Sequence, residues 1–332
     1  MRKSITILWS LSSKCNMDCL YCYYSNEIIS KKSKWILRHN NTDDLKFDEI
    51  VLFVKTIPQN TIKRIFITGG EPLFWKYIFN FIELLKTINC EIVLCTNGIL
   101  LDDVTIFDKI INSNISAISI SMDSLDESYN NKYRRCNLKN STSTILDSII
   151  KMKKIRESRN SNLKIGIYSV ISKLNLNKLK FTFDYFNNKV DYFIFQPIYL
   201  DKKNKYYNEL NLEVSDIVKL NRVIDSLYRY NTSTILPRRE YVNLIYQAIL
   251  NNFSNIKCKA GTNFIFIQPN GLVWDCPSVY LKQQKIDNLK SIKNNTFFSI
   301  FSNLKSKCHP CDLFSINCVN IFQLFVFDDI LK

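Results

Sequence analysis

Three cysteines near the N-terminus carry the most informative chemistry in this sequence. Cys15, Cys19 and Cys22 lie in the run Cys-Asn-Met-Asp-Cys-Leu-Tyr-Cys, directly after an apolar, strand-like stretch at 5–11. Thiolates with this C-x3-C-x2-C spacing can hold three irons of a cubane [4Fe–4S] cluster, which leaves the fourth iron without a protein ligand. An open metal position is where a substrate or cofactor binds, whereas a structural site is closed. The triplet therefore predicts a catalytic iron–sulfur cluster.

A second motif consists of Gly69, Gly70, Glu71 and Pro72, which follow the apolar run at 62–68. The chain of 332 residues has only 6 Gly, so two adjacent glycines followed by an acid are uncommon at this composition. Glycines let a backbone approach a ligand closely, and a carboxylate is an acceptor for an ammonium group.

These two motifs, in this order, resemble those of the radical S-adenosylmethionine (radical SAM) enzymes. The resemblance implies that the [4Fe–4S] cluster binds S-adenosylmethionine (SAM), and that the segment 69–72 binds the methionine amino group of SAM. Tyr21, within the triplet, resembles the aromatic residue that packs beside the adenine. Further positions resemble SAM contacts of the family: Asn97 in a Thr-Asn-Gly turn, Ser121 and Asp123 in a Ser-x-Asp segment, and Arg134 as a partner of the cofactor carboxylate.

Zinc is the alternative metal for the first triplet. A zinc site needs a fourth ligand to close a tetrahedron. The chain has two histidines, His39 and His309, and no fourth cysteine lies close to the triplet in sequence. These features favour iron over zinc.

Composition bears on the compartment and on the partners. No N-terminal signal segment or membrane-spanning apolar run is visible, and the count of 11 Cys is odd, so we expect reduced thiols in a cytoplasmic protein. The net charge of +15 would suit an acidic partner or nucleic acid. Because the lysines are scattered rather than clustered, we expect neither a nucleic-acid nor a membrane partner.

Strand-like and helix-like segments alternate along the chain, which predicts an α/β fold with a parallel sheet. Six strands are expected at 5–11, 62–68, 91–96, 117–122, 163–171 and 192–197. Helical stretches are expected at 47–57, 74–88, 104–111, 142–156, 176–187, 212–230 and 239–253. Six strands fit the partial (β/α)6 TIM-like barrel that the resemblance implies, with chemistry at the C-terminal ends of the strands. We predict this core at 1–205, a helical linker at 206–254 and a small C-terminal domain at 255–332.

The C-terminal domain is predicted from a second set of five cysteines: Cys258, Cys276, Cys308, Cys311 and Cys318. A Pro-Asn-Gly turn at 269–271 predicts a β-hairpin that brings the first two together. The spacing resembles SPASM and twitch domains, which carry auxiliary [4Fe–4S] clusters. A full SPASM domain has more cysteines and holds two auxiliary clusters. Four of the five cysteines here are enough for one, so the resemblance implies at least one auxiliary cluster, with Cys318 as a spare or exchangeable ligand. Structural zinc remains the alternative, since zinc ribbons also use such cysteines.

The resemblance implies an enzyme that cleaves SAM reductively to a 5′-deoxyadenosyl radical, which abstracts hydrogen from a substrate. We expect a ribosomally made precursor peptide that gains a crosslink, a thioether or an epimerised residue. The alternatives are a twitch-type small-molecule alcohol dehydrogenase and, more distantly, a non-catalytic zinc-bearing nucleic-acid-binding protein. The expected protein partners are a reductase, flavodoxin or ferredoxin as electron donor, and a separate peptide-recognition protein, because no such domain precedes Cys15. No catalytic acid or base is assigned, although Tyr168, Gln196 and Tyr199 are expected to face the barrel mouth.

Overall fold

The computed structural model describes residues 5–22, 43–136, 138, 140–200, 202, 204–252, 258, 260–261, 263–276, 290–301 and 316–332. The first six strands in this part of the chain pair in parallel with their sequence neighbours. They are β1 Ile5–Ser10, β2 Ile62–Thr68, β3 Glu91–Thr96, β4 Ala117–Ser121, β5 Lys164–Ile171 and β6 Tyr192–Pro197. The six predicted strands and the parallel α/β sheet are thereby confirmed.

Helices connect these strands, as a parallel sheet requires. They are α1 Phe47–Val54, α2 Ile78–Leu85, α3 Val104–Ile111, α4 Glu127–Tyr133, α5 Ser141–Ser158 and α6 Leu179–Phe186, followed by α7 Tyr207–Leu210, α8 Ile217–Leu227 and α9 Arg239–Ile249. Within the described residues, no helix is both long enough and apolar enough to cross a bilayer.

The helix predicted at 74–88 starts later than expected. The sequence predicts a helix from 74 to 88, but the chain first forms a 3-10 turn, Pro72–Phe74, and α2 begins only at Ile78. The Glu71 side chain accepts a hydrogen bond from the backbone N–H of Leu73, which caps this short turn. Trp75 then has an extended backbone, with ψ of 118°, and this interrupts the helical path. The sequence motif at 69–72 thus fixes local geometry as well as chemistry.

The sheet does not end at β1. The predicted hairpin is confirmed, because β7 Phe264–Ile267 and β8 Leu272–Trp274 pair in antiparallel fashion. In addition, β7 pairs in parallel with β1, and β8 pairs with β9 Lys290–Ser291. The strand order is β6-β5-β4-β3-β2-β1-β7-β8-β9. The hairpin therefore extends the same sheet that carries the cysteine triplet.

The C-terminal segment packs against the inner face of the sheet, opposite to helices α1–α6. It contains α11 Ile316–Phe322, a 3-10 turn Gln323–Val326 and α12 Phe327–Ile330, after α10 Phe297–Phe301. The ring of Phe327 meets Phe66 of β2 and Tyr192 of β6, with centroid distances of 5.0 Å and 5.2 Å. Near the N-terminal ends of the strands, the buried guanidinium of Arg64 lies 3.0 Å from Asp328 and 2.5 Å from Glu91. Apolar contacts and ion pairs thus hold the C-terminal segment against the inner face of the sheet.

Candidate cofactor site

The cysteine triplet lies on the loop that follows β1, at the C-terminal edge of the sheet. The end of α4 and the residues that follow it hold this loop from one side. The N–H of Leu20 donates to the carbonyl of Tyr133 at 2.9 Å, and Met17 forms an antiparallel bridge with Cys136. The loop is therefore anchored by backbone contacts to a segment more than a hundred residues away.

The glycine pair supports the same loop from beneath. The N–H of Gly70 donates to the Ser12 carbonyl at 2.7 Å, and the N–H of Glu71 donates to the Lys14 carbonyl at 2.7 Å. A Cβ atom at position 70 would lie 2.0 Å from the Lys14 carbonyl oxygen, and Gly69 has a φ of +147°. The close approach that requires glycine here is to the cysteine loop itself.

Glu71 is the central polar group of the site. Its buried carboxylate accepts hydrogen bonds from Thr96 Oγ1 at 2.7 Å, from the N–H of Asn97 at 2.7 Å and from the N–H of Leu73 at 3.1 Å. Burial raises the pKa of Glu71 to about 7, although these hydrogen bonds act in the opposite direction. Because burial disfavours the charged form of Glu71, a cationic partner such as an ammonium group would stabilise that form.

Asn97 connects the end of β3 to the cysteine loop. Its Nδ2 donates to Asn16 Oδ1 at 2.7 Å, and its Oδ1 accepts from the N–H of Ile99 at 3.0 Å. The following Gly98 has a φ of +86°, which suits the turn expected from Thr-Asn-Gly. Asn97 thus lies beside the cysteine loop, and its predicted contact with SAM remains a prediction.

Tyr21, Ser121, Asp123 and Arg134 also come together. The Tyr21 hydroxyl donates to Asp123 Oδ2, and Arg134 Nε lies 3.8 Å from the same oxygen. Arg134 Nη1 donates to the Ser121 carbonyl at 2.7 Å, and Cys19 Sγ donates to the Arg134 carbonyl at 3.3 Å. This arrangement ties the cysteine loop to the end of β4. The charged groups of Asp123 and Arg134 already face each other, and their predicted contacts with SAM remain predictions.

The thiols of the cysteine triplet are of the type that binds an iron–sulfur cluster. Burial raises the pKa of the Cys15 thiol to about 11 and that of the Cys19 thiol to about 12, so each thiolate needs a strongly cationic partner. Within the described residues, no three Cys, His, Asp or Glu side chains are already drawn together as a metal-binding group. Cys15, Cys19 and Cys22 share one loop, but their side chains are not gathered around one point, so their role as cluster ligands remains a prediction.

The C-terminal cysteines are partly within the described chain. Cys276 is buried in the apolar cluster on the inner face of the sheet, and Cys258 packs against the same cluster. Cys318 is buried on α11. Cys308 and Cys311 lie outside the described residues. The predicted ligand set of an auxiliary cluster therefore remains a prediction.

Several residues that support the site were not predicted from the sequence. Asp44 Oδ2 accepts from Ser12 Oγ at 2.9 Å and from the N–H of Ser13 at 2.8 Å. Asn175 Nδ2 donates to the carbonyl of Asp123 at 2.9 Å. Asp44 and Asn175 are distant in sequence from the loops that they hold, and no motif marks them. Thr96, in contrast, belongs to the Thr-Asn-Gly turn that the sequence marks.

Comparison with known proteins gives three findings. Residues 9–168 match the family model described as the Radical SAM superfamily. The chain is 27% identical over 327 residues to the radical SAM cyclopropyl synthase TigE of Paramaledivibacter caminithermalis, covering 91% of this chain and 64% of that protein. It is 33% identical over 171 residues to GTP 3',8-cyclase of Campylobacter jejuni, covering 51% of this chain and 47% of that protein. The chain thus spans less than two thirds of either relative's length.

Solved structures agree on the fold. Streptococcus suis SuiB bound to S-adenosylmethionine has a TM-score of 0.68 at 14% identity, covering 97% of this chain and 75% of that chain. SuiB bound to the precursor peptide SuiA has a TM-score of 0.64 at 16% identity, covering 94% of this chain and 69% of that chain. At these identities the similarity is one of fold.

Proposed function

We propose that this chain, which contains a radical SAM domain, cleaves SAM reductively and uses the resulting radical to abstract hydrogen from a ribosomally made peptide. The abstraction would lead to a crosslink, a thioether or an epimerised residue. The observation that carries the proposal is the junction of the cysteine loop with Glu71 at the ends of β1 and β2.

Each group at this junction has a role in the proposed reaction. Cys15, Cys19 and Cys22 would hold a [4Fe–4S] cluster through three irons. When bound, the cluster supplies one electron to the SAM sulfonium, which gives methionine and the 5′-deoxyadenosyl radical. Glu71 would accept the methionine ammonium, and its burial strengthens that contact because the surroundings screen charge weakly. Asn97 would fix the loop next to the same ligand.

Tyr21, Asp123 and Arg134 would hold the opposite side of the cofactor. Their mutual contacts and the bond from Cys19 keep the cysteine loop at a set distance from the end of β4. Ser121, whose carbonyl binds Arg134, lies at the position proposed for the ribose or methionine moiety. Helices on one face and the C-terminal segment on the other restrict the access of water, which protects a radical from side reactions.

The two relatives differ in how much of this chain they match. The match to TigE covers 91% of this chain, well beyond residues 9–168. The match to GTP 3',8-cyclase covers 171 residues, a length close to that of the radical SAM domain. The second similarity therefore reflects the shared radical machinery and gives little information on substrate. The proposal of a peptide substrate is supported by SuiB, which has a similar fold and has been solved with its precursor peptide.

The remaining parts of the proposal concern electrons and peptide capture. Cys258, Cys276, Cys308 and Cys311 would bind at least one auxiliary [4Fe–4S] cluster in a twitch-like C-terminal region, with Cys318 as a further candidate ligand. A reductase, flavodoxin or ferredoxin would supply the electron. A separate peptide-recognition protein would present the precursor.

Metal and sulfide analysis of anaerobically reconstituted protein tests the proposal. The wild type should hold about eight irons, and replacement of Cys15, Cys19 and Cys22 by Ala should leave about four. Cys90→Ala is the matched control, since Cys90 is buried among outer-layer residues. Zinc in the C-terminal region would remove the auxiliary cluster from the proposal. Zinc alone, without iron or sulfide, would overturn it.

A further inference from the structure

The segment just before α1 touches two loops at one edge of the sheet. Because β1 and β7 pair in parallel, with Trp9 opposite Ile267, the cysteine loop after β1 and the hairpin turn after β7 lie side by side. Asp44 binds the first of these loops and Leu45 binds the second. We call Asp44 and Leu45 the connecting pair.

Asp44 binds the residues that precede Cys15. Its Oδ2 accepts from Ser12 Oγ at 2.9 Å and from the N–H of Ser13 at 2.8 Å. Ser12 Oγ in turn accepts from the N–H of Lys14 at 3.2 Å. Ser12 and Ser13 are buried, so loss of the carboxylate would remove a buried hydrogen bond from each of them. The carboxylate therefore fixes the backbone that leads into the first proposed ligand.

The end of β2 holds the same stretch through its other polar groups. The carbonyl of Ser12 accepts from the N–H of Gly70, and the carbonyl of Lys14 accepts from the N–H of Glu71. The glycine pair thus fixes the carbonyl groups of this stretch, whereas Asp44 fixes its donors. Both sets of bonds are needed to define the orientation of these peptide groups.

Leu45 binds the hairpin turn. Its N–H donates to the carbonyl of Pro269 at 2.7 Å, and its side chain is buried. A Cβ atom at Gly271 would lie 2.7 Å from Leu45 Cδ1 and 3.1 Å from Ile292 Cγ1, so the Leu45 side chain packs directly on the turn. The turn leads through β8 to Cys276, a proposed ligand of the auxiliary cluster.

Helix α1, which follows the connecting pair, is bound to the same C-terminal region. Glu49 forms an ion pair with Lys293 at 3.0 Å, and the N–H of Phe297 donates to Thr56 Oγ1 at 2.8 Å. The segment before α1 is therefore tied to the C-terminal region at several points. Because Asp44 and Leu45 are adjacent in the backbone, a shift of the hairpin turn would also displace the carboxylate that binds the cysteine loop.

We infer that the connecting pair couples the C-terminal hairpin to the cysteine loop. Asp44 is a positioning residue for the proposed cluster ligands, and Leu45 sets the place of Asp44 from the hairpin turn. The inference rests on the proposed function, since the loop concerned carries the three proposed ligands of the SAM-binding cluster. A disturbance of the hairpin would thereby loosen the cysteine loop without any direct contact between the hairpin and the cysteines.

Amide hydrogen exchange, read by mass spectrometry on the whole chain before and after anaerobic reconstitution, tests the positioning role. In Asp44→Ala, the peptide that covers 11–22 should exchange roughly tenfold faster, because buried hydrogen bonds are lost. Asp44→Asn should exchange like the wild type. Asp44 Oδ1 has no hydrogen-bond partner within the described residues, so the amide can present its oxygen to Ser12 and Ser13 and place its NH2 group on the other side. Asp48→Ala, which removes an exposed carboxylate on α1, is the control and should also exchange like the wild type.

Leu45→Ala tests the coupling to the hairpin. This variant keeps the Asp44 carboxylate, yet exchange should rise several-fold at 11–22 as well as at 268–272. Leu52→Ala is the matched control, since Leu52 on α1 is 67% exposed, and it should change neither segment. Exchange at 91–96, in β3, reports global unfolding and should match the wild type in every variant.

Three results would overturn the inference. They are unchanged exchange at 11–22 in Asp44→Ala, equally fast exchange in Asp44→Asn and Asp44→Ala, and a Leu45→Ala variant in which only the hairpin turn is loosened. Exchange before reconstitution does not depend on a bound cluster. Iron content and SAM cleavage are measured after reconstitution, so a failure of the proposed radical chemistry is distinguished from a failure of this coupling.

Discussion

Glu71 gives the most quantitative prediction. Its carboxylate is buried, and its pKa is raised from an ordinary 4.5 to about 7. The folded protein therefore holds this proton more tightly than the unfolded chain does. Between about pH 4.5 and about pH 7, the free energy of unfolding contributed by this group falls as the pH rises, and above that range the loss is complete.

The size of the effect follows from the pKa difference. One pH unit corresponds to about 1.36 kcal/mol, so a difference of about 2.5 corresponds to about 3 kcal/mol. Glu71→Gln removes the titration. In the variant, the NH2 group of Gln replaces one acceptor oxygen and faces a donor from Leu73, Thr96 or Asn97. This loss of a hydrogen bond costs about 1–3 kcal/mol at every pH. The pH-dependent part is thus separable from the constant part.

Urea denaturation of both proteins across this pH range measures the two parts. We expect the stability advantage of the wild type over Glu71→Gln to shrink by about 3 kcal/mol from the acid to the alkaline end. Glu83→Gln is the control, since the Glu83 side chain on α2 is 68% exposed, and its difference from the wild type should be nearly flat. A Glu71→Gln difference that is equally flat, or that grows with pH, would refute the burial argument.

Two further predictions concern backbone geometry and helix capping. Gly70→Ala places a methyl group 2.0 Å from the Lys14 carbonyl oxygen, so we expect a several-fold loss of bound iron. Gly166→Ala is the control, because its methyl group would lie 2.2 Å from the Tyr192 ring, away from the cysteine loop. This variant should lose about 1–3 kcal/mol of stability without losing iron per folded molecule. Parallel iron losses in both variants would contradict the loop argument. Asp126→Ala should cost about 1 kcal/mol in urea denaturation at neutral pH, because Asp126 caps α4. The hydrogen bond from Lys178 holds the pKa of the Asp126 carboxyl below its usual range. The stability loss in Asp126→Ala should therefore persist into mild acid and shrink only in strong acid. A stability loss that does not change in strong acid would be evidence against a charged cap.

The strands were predictable because their apolar, β-branched runs are buried on both faces. The run at 91–96, for example, matches β3 without error. The position of the C-terminal segment was not predictable. Phe327 is apolar whether it packs outside or inside the sheet, and nothing local marks the pairing of Arg64 with Asp328. Parallel pairing of β7 with β1 depends likewise on contacts between distant parts of the chain.

The candidate site shows the same division. The cysteine triplet and Glu71 were recognised because a local motif carries their chemistry. The bond from Tyr21 to Asp123 and the bond from Asn97 to Asn16 join residues about a hundred and about eighty positions apart. Sequence spacing predicts which groups are present, whereas the three-dimensional fold decides which of them meet.

The most direct test of the central claim is the formation of 5′-deoxyadenosine from SAM by reduced, anaerobic protein. Wild type and Cys90→Ala should both release 5′-deoxyadenosine and methionine in equal amounts. Cys19→Ala, which lacks one proposed cluster ligand, should release neither above background. Equal product from Cys19→Ala and the wild type, or no product from a wild type that holds its full iron and sulfide, would contradict the account.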